Sequence, residues 1–353
     1  MKKAGSIAHF IVVIAIVGVT AVLFAYAGGW FSPHALTPAR FTDRLEQASG
    51  AHPGFRRNHA KGVCVSGWFD SNGQGAELSK AAVFLEGRVP VIGRFSLGGG
   101  NPNQTDAATT VRGLGISFMP PKGEEWRTAM VNLPVFPFAT PQAFYDQLLA
   151  LAPDPATGKP DPAKVQAFFA KYPESAKAIK LIKSGVPSSG FDNSTFNSLN
   201  AFEFINDKGD TAWVRWSFVP IQPFEPINTA HPEEGDTNYL FDALIAAVHQ
   251  HPLQWHLIIT IAQPGDPTDD ATLPWLSGRK QVDVGTLTIN QIESDDTSTT
   301  RNINFDPLVL PEGIVPSDDP LLSARSAVYM QSFTRREGEH KSPSPVSAAE
   351  TEK

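Results

Sequence analysis

Two short segments of the chain carry side chains whose types and spacing could do chemistry. The first is Phe55-Arg56-Arg57-Asn58-His59-Ala60-Lys61-Gly62, in which His59 follows an arginine by three residues and leads into a strand-like run. Histidine exchanges a proton near neutral pH, so His59 could act as an acid–base group. A loop histidine in a basic turn fits the same pattern, and composition alone favours that second interpretation.

The second segment places Arg325 and Tyr329 four residues apart in a helical pattern. Residues at this spacing share a helix face, so the guanidinium can hydrogen-bond the phenol and favour its phenolate form. A phenolate is a hard anionic ligand for iron. An ordinary amphipathic helix shows the same spacing by chance, and the pair is weak evidence when taken alone.

Further runs lie in order between these two segments. They are Arg94-Phe95-Ser96, Val111-Arg112-Gly113-Leu114-Gly115-Ile116-Ser117-Phe118, Pro134-Val135-Phe136, and Phe305-Asp306-Pro307, which precedes the run from Asp319 to Tyr329. In this order the runs resemble the motifs of the haem catalase family, over roughly residues 50–335. The resemblance implies a short catalase-related haem peroxidase. Its fold would be α+β, an antiparallel β-barrel of the haem catalase type with attached helices, preceded by an N-terminal apolar helix.

The resemblance implies catalytic roles for four residues. Tyr329 would be the proximal ligand of the iron of haem b, and Arg325 would hold it as the phenolate. His59 would be the distal acid–base group, which takes a proton from peroxide and returns it to the leaving oxygen. Ser96 would hydrogen-bond the far ring nitrogen of His59 and fix its tautomer.

The resemblance also implies four residues that surround the cofactor. Arg56, Arg94 and Arg112 match residues near the haem propionates, where a cation can form charge-assisted hydrogen bonds. Phe144 matches a phenylalanine that stacks on the haem. The lone Cys64 lies just past His59 and is expected to be a packing residue of the first barrel strand, not a ligand.

Two positions depart from the family pattern. Haem catalases carry an asparagine shortly before Pro-Val-Phe to orient peroxide, but this chain has Val131 there and Asn132 one residue later. A one-residue shift turns a strand side chain to the opposite face. Asn58 stands where the family has a small apolar residue. We therefore expect weak or no catalase activity, and instead oxidation of small organic electron donors by organic hydroperoxides or hydrogen peroxide.

Two other functions remain open at this point. A haem-binding or carrier protein of the same fold would need Tyr329 but no acid–base group opposite it. A surface or structural β-protein without haem would carry the motifs by coincidence. His59 distinguishes the peroxidase from the carrier, and a haem absorption band that depends on Tyr329 distinguishes both from the structural protein.

Composition narrows the class of protein. The 353 residues include 28 glycines, 30 prolines and one cysteine, with a net charge of −7. Glycine and proline at this frequency disfavour a helical bundle and favour short strands joined by turns. The negative charge argues against a nucleic-acid partner. One cysteine excludes an internal disulfide and a cysteine-rich metal site.

The distribution of apolar, charged and turn-forming residues divides the chain into four predicted segments. Residues 1–31 are predicted to be a signal or anchor segment, because two lysines precede an apolar run over residues 7–31. Export to the periplasm, or anchoring to the inner membrane, would follow.

Residues 32–50 are expected to be a linker, 51–335 the haem barrel, and 336–353 a disordered tail. Within the barrel we expect a strand at Met130–Phe138 and one helix over Pro162–Lys183. A monomer or homodimer is expected.

Overall fold

A computed structural model describes residues 2–27, 35–107, 109–227 and 236–348. The described residues form seven α-helices: α1 (Lys2–Ala27), α2 (Pro38–Ser49), α3 (Pro141–Ala150), α4 (Pro162–Lys171), α5 (Pro173–Ser184), α6 (Tyr239–Gln250) and α7 (Pro320–Glu337). They also form ten strands: β1 (Gly62–Ser71), β2 (Gly87–Leu97), β3 (Arg112–Phe118), β4 (Trp126–Val131), β5 (Phe196–Asn197), β6 (Phe202–Ile205), β7 (Thr211–Pro220), β8 (Leu253–Ile261), β9 (Gln281–Glu293) and β10 (Ile314–Pro316).

Eight of these strands close into an antiparallel barrel. Their order is β7-β5-β4-β3-β2-β1-β9-β8, and β8 pairs back with β7 to complete the circle. Strands β6 and β10 extend the sheet outward from β7. Closure leaves the eight barrel strands without a free edge. The predicted α+β fold with an antiparallel barrel and attached helices is confirmed.

The barrel interior is packed with aromatic side chains, which draw on the 23 phenylalanines of the chain. Phe118 stacks on Trp126 with ring centroids 4.7 Å apart, and Trp126 meets Trp216 edge-on at 5.1 Å. Such ring pairs add about 0.5–1.5 kcal/mol each beyond the burial of their area. The interior is therefore a filled core, and any binding site must lie outside it.

The strand register turns a second set of side chains to the outer face of the barrel. Ser96 on β2 lies opposite Gly113 on β3, and Gly113 lies opposite Val131 on β4. Paired residues point to the same side of a sheet, while their chain neighbours point to the other. Phe95, the neighbour of Ser96, is fully buried in the core. Small and polar residues thus form an outer floor across β2, β3 and β4.

Three helices that pack over this floor begin with a capping residue followed by proline. The N-terminal caps are Thr37 for α2, Thr140 for α3 and Asp319 for α7, and each side chain accepts a hydrogen bond from a backbone N–H of the first turn. Proline is tolerated at the first helical position because that N–H has no partner within the helix. The sequence therefore fixes where each helix starts.

Proline also explains two differences from the predicted elements. The strand expected at Met130–Phe138 is wrong beyond Val131, where β4 ends shortly before Pro134, which cannot donate to a sheet ladder. The single helix expected over 162–183 is divided at Tyr172, because Pro173 starts a new helix and has no N–H to continue the old one.

The C-terminal segment and the expected linker are structured where they are described. Helix α7 runs to Glu337, and the chain beyond it packs back on the barrel, with Val346 only 1% exposed in the main core. The prediction of disorder is therefore wrong over residues 336–348, because a buried apolar side chain anchors a segment that composition describes as polar. Residues 349–353 lie outside the described residues. Most of the expected linker over 32–50 is helix α2, whose Phe41 and Leu45 are buried.

At the N-terminus, helix α1 precedes the barrel. Among the described residues, no helix combines the length and the hydropathy needed to cross a bilayer. The signal or anchor segment at residues 1–31 stays a prediction from the sequence.

We expect Val346→Asp to lower the free energy of unfolding by about 3 kcal/mol or more, because it places an unpaired carboxylate in the core. Val186→Asp is the matched control, since Val186 is 64% exposed and should change stability little. Denaturant unfolding of the two variants measures the difference. Equal stability of the two would show that the C-terminal segment does not pack on the barrel.

Candidate active site

A cavity of about 540 Å³ lies between the outer floor of the barrel and helices α2, α3 and α7. Its volume falls within the range of about 300–1,000 Å³ that is usual for small-molecule sites. Its walls are mostly apolar, and the charged side chains that line it are all arginines. Seven of the eight predicted site residues line this cavity: Arg56, His59, Arg94, Ser96, Phe144, Arg325 and Tyr329.

His59 sits in a turn that holds its backbone in the left-handed region, at φ 57°. This conformation is unfavourable for a residue with a side chain and requires support from its surroundings. The side-chain oxygen of Asn58 accepts hydrogen bonds from the N–H of His59 at 3.0 Å and of Gly99 at 2.8 Å. Arg94 Nη1 donates to the carbonyl of His59 at 2.8 Å. Both sides of the strained peptide are therefore fixed.

Arg94 supports this turn through a buried ion pair. Its Nε and Nη2 donate to the carboxylate of Asp295 at 3.0 and 2.8 Å, and both side chains are only 3% exposed. Burial raises the pKa of Asp295, but the charge and hydrogen bonds of Arg94 outweigh this effect and lower the pKa to about 2. Arg94 thus serves mainly to hold the turn, and its expected contact with a propionate stays a prediction.

Cys64 is a packing residue at the edge of this ion pair. Its thiol donates to Asp295 at 3.1 Å and is buried. Burial and the neighbouring carboxylate raise its pKa to about 12, so the thiol stays protonated. The structure therefore agrees with the expectation that Cys64 is no ligand.

The ring of His59 is held in its neutral form. Its Nδ1 lies 3.1 Å from Ser96 Oγ, as the resemblance implied. Burial, followed by the charges of Arg94 and other cavity arginines, lowers its pKa to about 4. A side chain at Gly113 would come within 3.0 Å of both the ring and Ser96, so only glycine leaves room for the ring here. At neutral pH the imidazole can accept a proton.

Tyr329 lines the cavity from helix α7, and a chain of hydrogen bonds positions it. Arg325 Nη2 lies 3.4 Å from the phenolic oxygen, and Arg325 Nη1 donates to Asn200 Oδ1 at 2.7 Å. Asn200 donates in turn to Asp319 at 2.7 Å, the capping residue of the same helix. Sequence reasoning missed Asn200, because no motif marks an asparagine that joins a loop to a distant helix.

Two arginines lie at one end of the cavity, where Arg336 is buried and Arg56 is partly buried. Arg56 Nη2 donates to the carbonyls of Arg301 and Ile303 at 3.1 and 3.0 Å, and Arg336 Nη1 donates to the carbonyl of Arg301 at 2.9 Å. Neither arginine forms an ion pair with the described residues. Burial and the nearby Arg94 lower the pKa of both, that of Arg336 to about 10. Two adjacent cations in this position favour an anionic ligand.

Arg336 is a site residue that sequence reasoning missed. It follows Tyr329 by seven residues, which is two helical turns, so the two side chains share the cavity face of α7. That spacing could have identified it. The polar composition after Arg335 instead predicts a disordered tail that would include Arg336.

Arg112 is the predicted site residue that the structure does not bring to the cavity. It pairs with Leu97 and shares the inward face of β3 with Leu114, whereas its neighbour Gly113 takes the outer face. Its guanidinium donates to the polar loop that crosses the end of the barrel, at Ser188, Gly190 and Ser194. The expectation that Arg112 lies near the propionates is therefore wrong, because the strand alternation directs it inside.

Aromatic rings form the apolar wall beside helices α2 and α3. Phe144 stacks on Phe138 with centroids 4.8 Å apart and meets Phe41 edge-on at 5.3 Å. Phe41 and Leu45 line the cavity from α2, in the segment that was expected to be a linker. Nothing in the sequence of that segment indicates which surface it covers.

The model of the family described as Catalase matches residues 31–353 of this chain. The chain belongs to the catalase family. It is 40% identical to a catalase-related peroxidase of Synechococcus elongatus over 92% of this chain and 93% of the relative. It is 33% identical to a catalase-related peroxidase of Mycolicibacterium paratuberculosis over 86% of this chain and 96% of the relative. The predicted family is confirmed, and these relatives indicate a peroxidase-type oxidoreductase, as expected.

Solved catalase structures share the fold. A bacterial catalase superposes with a TM-score of 0.71 at 21% identity over 87% of this chain. Catalase A from Saccharomyces cerevisiae superposes with a TM-score of 0.70 at 20% identity over 81% of this chain. The chain spans 63% and 62% of these two proteins, so it is short beside them.

Membership of this family implies haem binding, and the cavity fits such a group. The wall rings would pack on its flat apolar faces, Tyr329 would supply an oxygen ligand to the iron, and Arg56 and Arg336 would meet its carboxylates. The two arginines are the independent observation, because both point to one end of the cavity and neither forms a close ion pair among the described residues.

We expect Arg336→Gln to increase the rate of haem dissociation on the order of 10-fold, since a hydrogen bond to a charged group contributes about 1.5–3 kcal/mol. Transfer of haem to an excess of an apo-globin measures this rate. Arg88→Gln is the control, because Arg88 pairs with Asp70 on the exposed barrel surface. An unchanged dissociation rate in Arg336→Gln would contradict the assignment of Arg336 to the carboxylate end.

Proposed function

We propose that this protein is a haem b-dependent peroxidase that reduces organic hydroperoxides or hydrogen peroxide with small organic electron donors. The observation that carries the proposal is the presence of His59 and Tyr329 on the walls of one cavity, with His59 held neutral by burial and by arginine charge. A protein that only carried haem would not need a strained, doubly supported histidine turn in the same cavity.

The residues of the chain would divide the work as follows. Haem bound through Tyr329 supplies the redox-active iron at which the O–O bond is cleaved. In this proposal Nδ1 of His59 carries the proton and donates to Ser96 Oγ, 3.1 Å away, which leaves the lone pair on Nε2. Nε2 forms no hydrogen bond with the described residues. His59 takes the proton from peroxide on Nε2 and returns it to the leaving oxygen. Arg325 orients the phenolic oxygen of Tyr329.

Weak catalase activity is part of the proposal. Val131 lines the cavity and pairs with Gly113 across the sheet, and it is Gly113 that lies against the ring of His59. Asn132 is used elsewhere, since its Oδ1 accepts from the backbone N–H of Arg112 at 2.8 Å. Neither residue can hold a second peroxide as reductant, whereas an electron donor needs only access to the edge of the cofactor.

We further propose that the protein acts outside the cytoplasm, in the periplasm or at the inner membrane, as a monomer or homodimer. The support is the sequence of residues 1–31, with Lys2 and Lys3 ahead of an apolar run. Cell fractionation with an antibody to the barrel tests the location. Recovery of the protein in the cytoplasm alone would overturn this part of the proposal.

We expect His59→Ala to lower kcat/KM for donor oxidation with an alkyl hydroperoxide by on the order of 100-fold or more, because the acid–base group is lost. The haem absorption band should remain in this variant and be lost in Tyr329→Phe. Steady-state kinetics and absorption spectra of both variants measure these effects. Unchanged donor oxidation in His59→Ala would favour the haem carrier.

We expect the haem-loaded protein to evolve little oxygen from hydrogen peroxide while it oxidises an organic donor readily, because Val131 offers no hydrogen bond to a second peroxide. An oxygen electrode and a chromogenic donor, used on one preparation, compare the two rates. Oxygen evolution faster than donor oxidation would contradict the peroxidase assignment.

A further inference from the structure

The side-chain amide of Asn58 lines the cavity and supports the His59 turn through its oxygen alone. Its Oδ1 accepts from the backbone N–H groups of His59 and Gly99, at 3.0 and 2.8 Å. Only an oxygen can accept two such bonds, so the orientation of the amide is determined. Its Nδ2 therefore points away from the turn, and it forms no hydrogen bond with the described residues.

Asn58 also lies on the wall of the cavity, immediately before His59 in the chain. The two groups are rigidly linked, because Asn58 holds the N–H of the histidine itself. A donor that forms no hydrogen bond with the described residues and a neutral acceptor thus line one cavity. One of them can donate to an oxygen atom while the other accepts the proton of that atom.

The charges around His59 make such a donor useful. Burial and the neighbouring arginines disfavour the imidazolium form of His59, as its low pKa of about 4 shows. When His59 begins to take the peroxide proton, negative charge develops on the peroxide oxygen. A fixed N–H aimed at that oxygen stabilises the charge without reorganisation. The amide transfers no proton and only donates a hydrogen bond.

We propose that Asn58 is a catalytic residue whose Nδ2–H donates to a peroxide oxygen held beside His59. This proposal rests on the proposed peroxidase function. Oδ1 keeps the separate task of fixing the His59 turn. The two ends of one amide thus position the acid–base group and bind the substrate.

Two substitutions separate these tasks. Asn58→Asp keeps an oxygen for the two backbone N–H groups and removes the donor, whereas Asn58→Leu removes both. Asn101→Asp is the matched control, because Asn101 Oδ1 also accepts a backbone N–H, from Asn103 at 2.9 Å, and Asn101 does not line the cavity. All three variants are prepared as full-length, haem-loaded protein.

We expect Asn58→Asp to slow the stopped-flow reaction with tert-butyl hydroperoxide on the order of 10-fold to 100-fold. It should also weaken the binding of fluoride, a pure hydrogen-bond acceptor, to the ferric protein. Its melting temperature should match that of Asn101→Asp, whereas Asn58→Leu should lose both reactivity and thermal stability. Asn101→Asp should react as the wild type does.

Wild-type peroxide rates and fluoride affinity in Asn58→Asp would overturn the proposal and leave Asn58 a structural residue. The new carboxylate could also slow the reaction by favouring protonated His59. That effect disappears as the pH rises, so a deficit present at pH 6 and absent at pH 8 would likewise overturn the proposal. If the wild type fails to react with hydroperoxide, the proposed function fails, and the fluoride comparison still decides whether Asn58 donates into the cavity.

Discussion

The buried ion pair between Arg94 and Asp295 is the interaction on which the site depends. It anchors a guanidinium that binds the carbonyls of His59 and Ala60, at 2.8 and 2.9 Å, and thereby holds the strained turn in place. Removal of one partner of a buried pair costs about 3–5 kcal/mol, because the other charge is left without compensation. The pair also contributes charge, since Arg94 helps to keep His59 neutral. The same ion pair therefore stabilises the His59 turn and influences the protonation of His59.

The barrel makes this arrangement possible by separating its two faces. Its aromatic interior is closed and filled, while the outer face of β2, β3 and β4 carries glycines and small residues over which a flat group can lie. Gly113 and Gly115 are required by close approach, because a side chain at Gly115 would come within 2.7 Å of Phe305. Helices α2, α3 and α7 complete the cavity, and their capping residues and prolines fix how they begin.

The sequence predicted the parts of the site that short motifs encode. His59, Ser96, Arg325 and Tyr329 lie within local runs of fixed spacing, and the structure brings all four to one cavity. The prediction for Arg112 was wrong because of strand alternation, since a strand residue next to a cavity-facing glycine must point to the opposite side of the sheet. The motif identified Arg112 in its strand but did not show to which face of the sheet its side chain points.

Long-range contacts account for the remaining differences from the sequence predictions. Asn200 precedes both Asp319 and Arg325 by more than a hundred residues and hydrogen-bonds to both side chains. No local sequence pattern predicts such a contact. The C-terminal segment is polar in composition, yet Val346 is buried and Glu339 pairs with Arg57. Composition averages over residues and therefore cannot detect a segment that a few contacts hold in place.

If the cavity holds His59 as a neutral base, the pH dependence of kcat/KM for hydroperoxide must reflect the lowered pKa of this histidine. Because burial and arginine charge lower the pKa of His59 to about 4, the imidazole stays able to accept a proton well below pH 6. We expect the kcat/KM of the wild-type protein to be level from pH 7 to pH 5 and to fall only near pH 4. A loss with its midpoint near pH 6.5, the ordinary pKa of histidine, would contradict it.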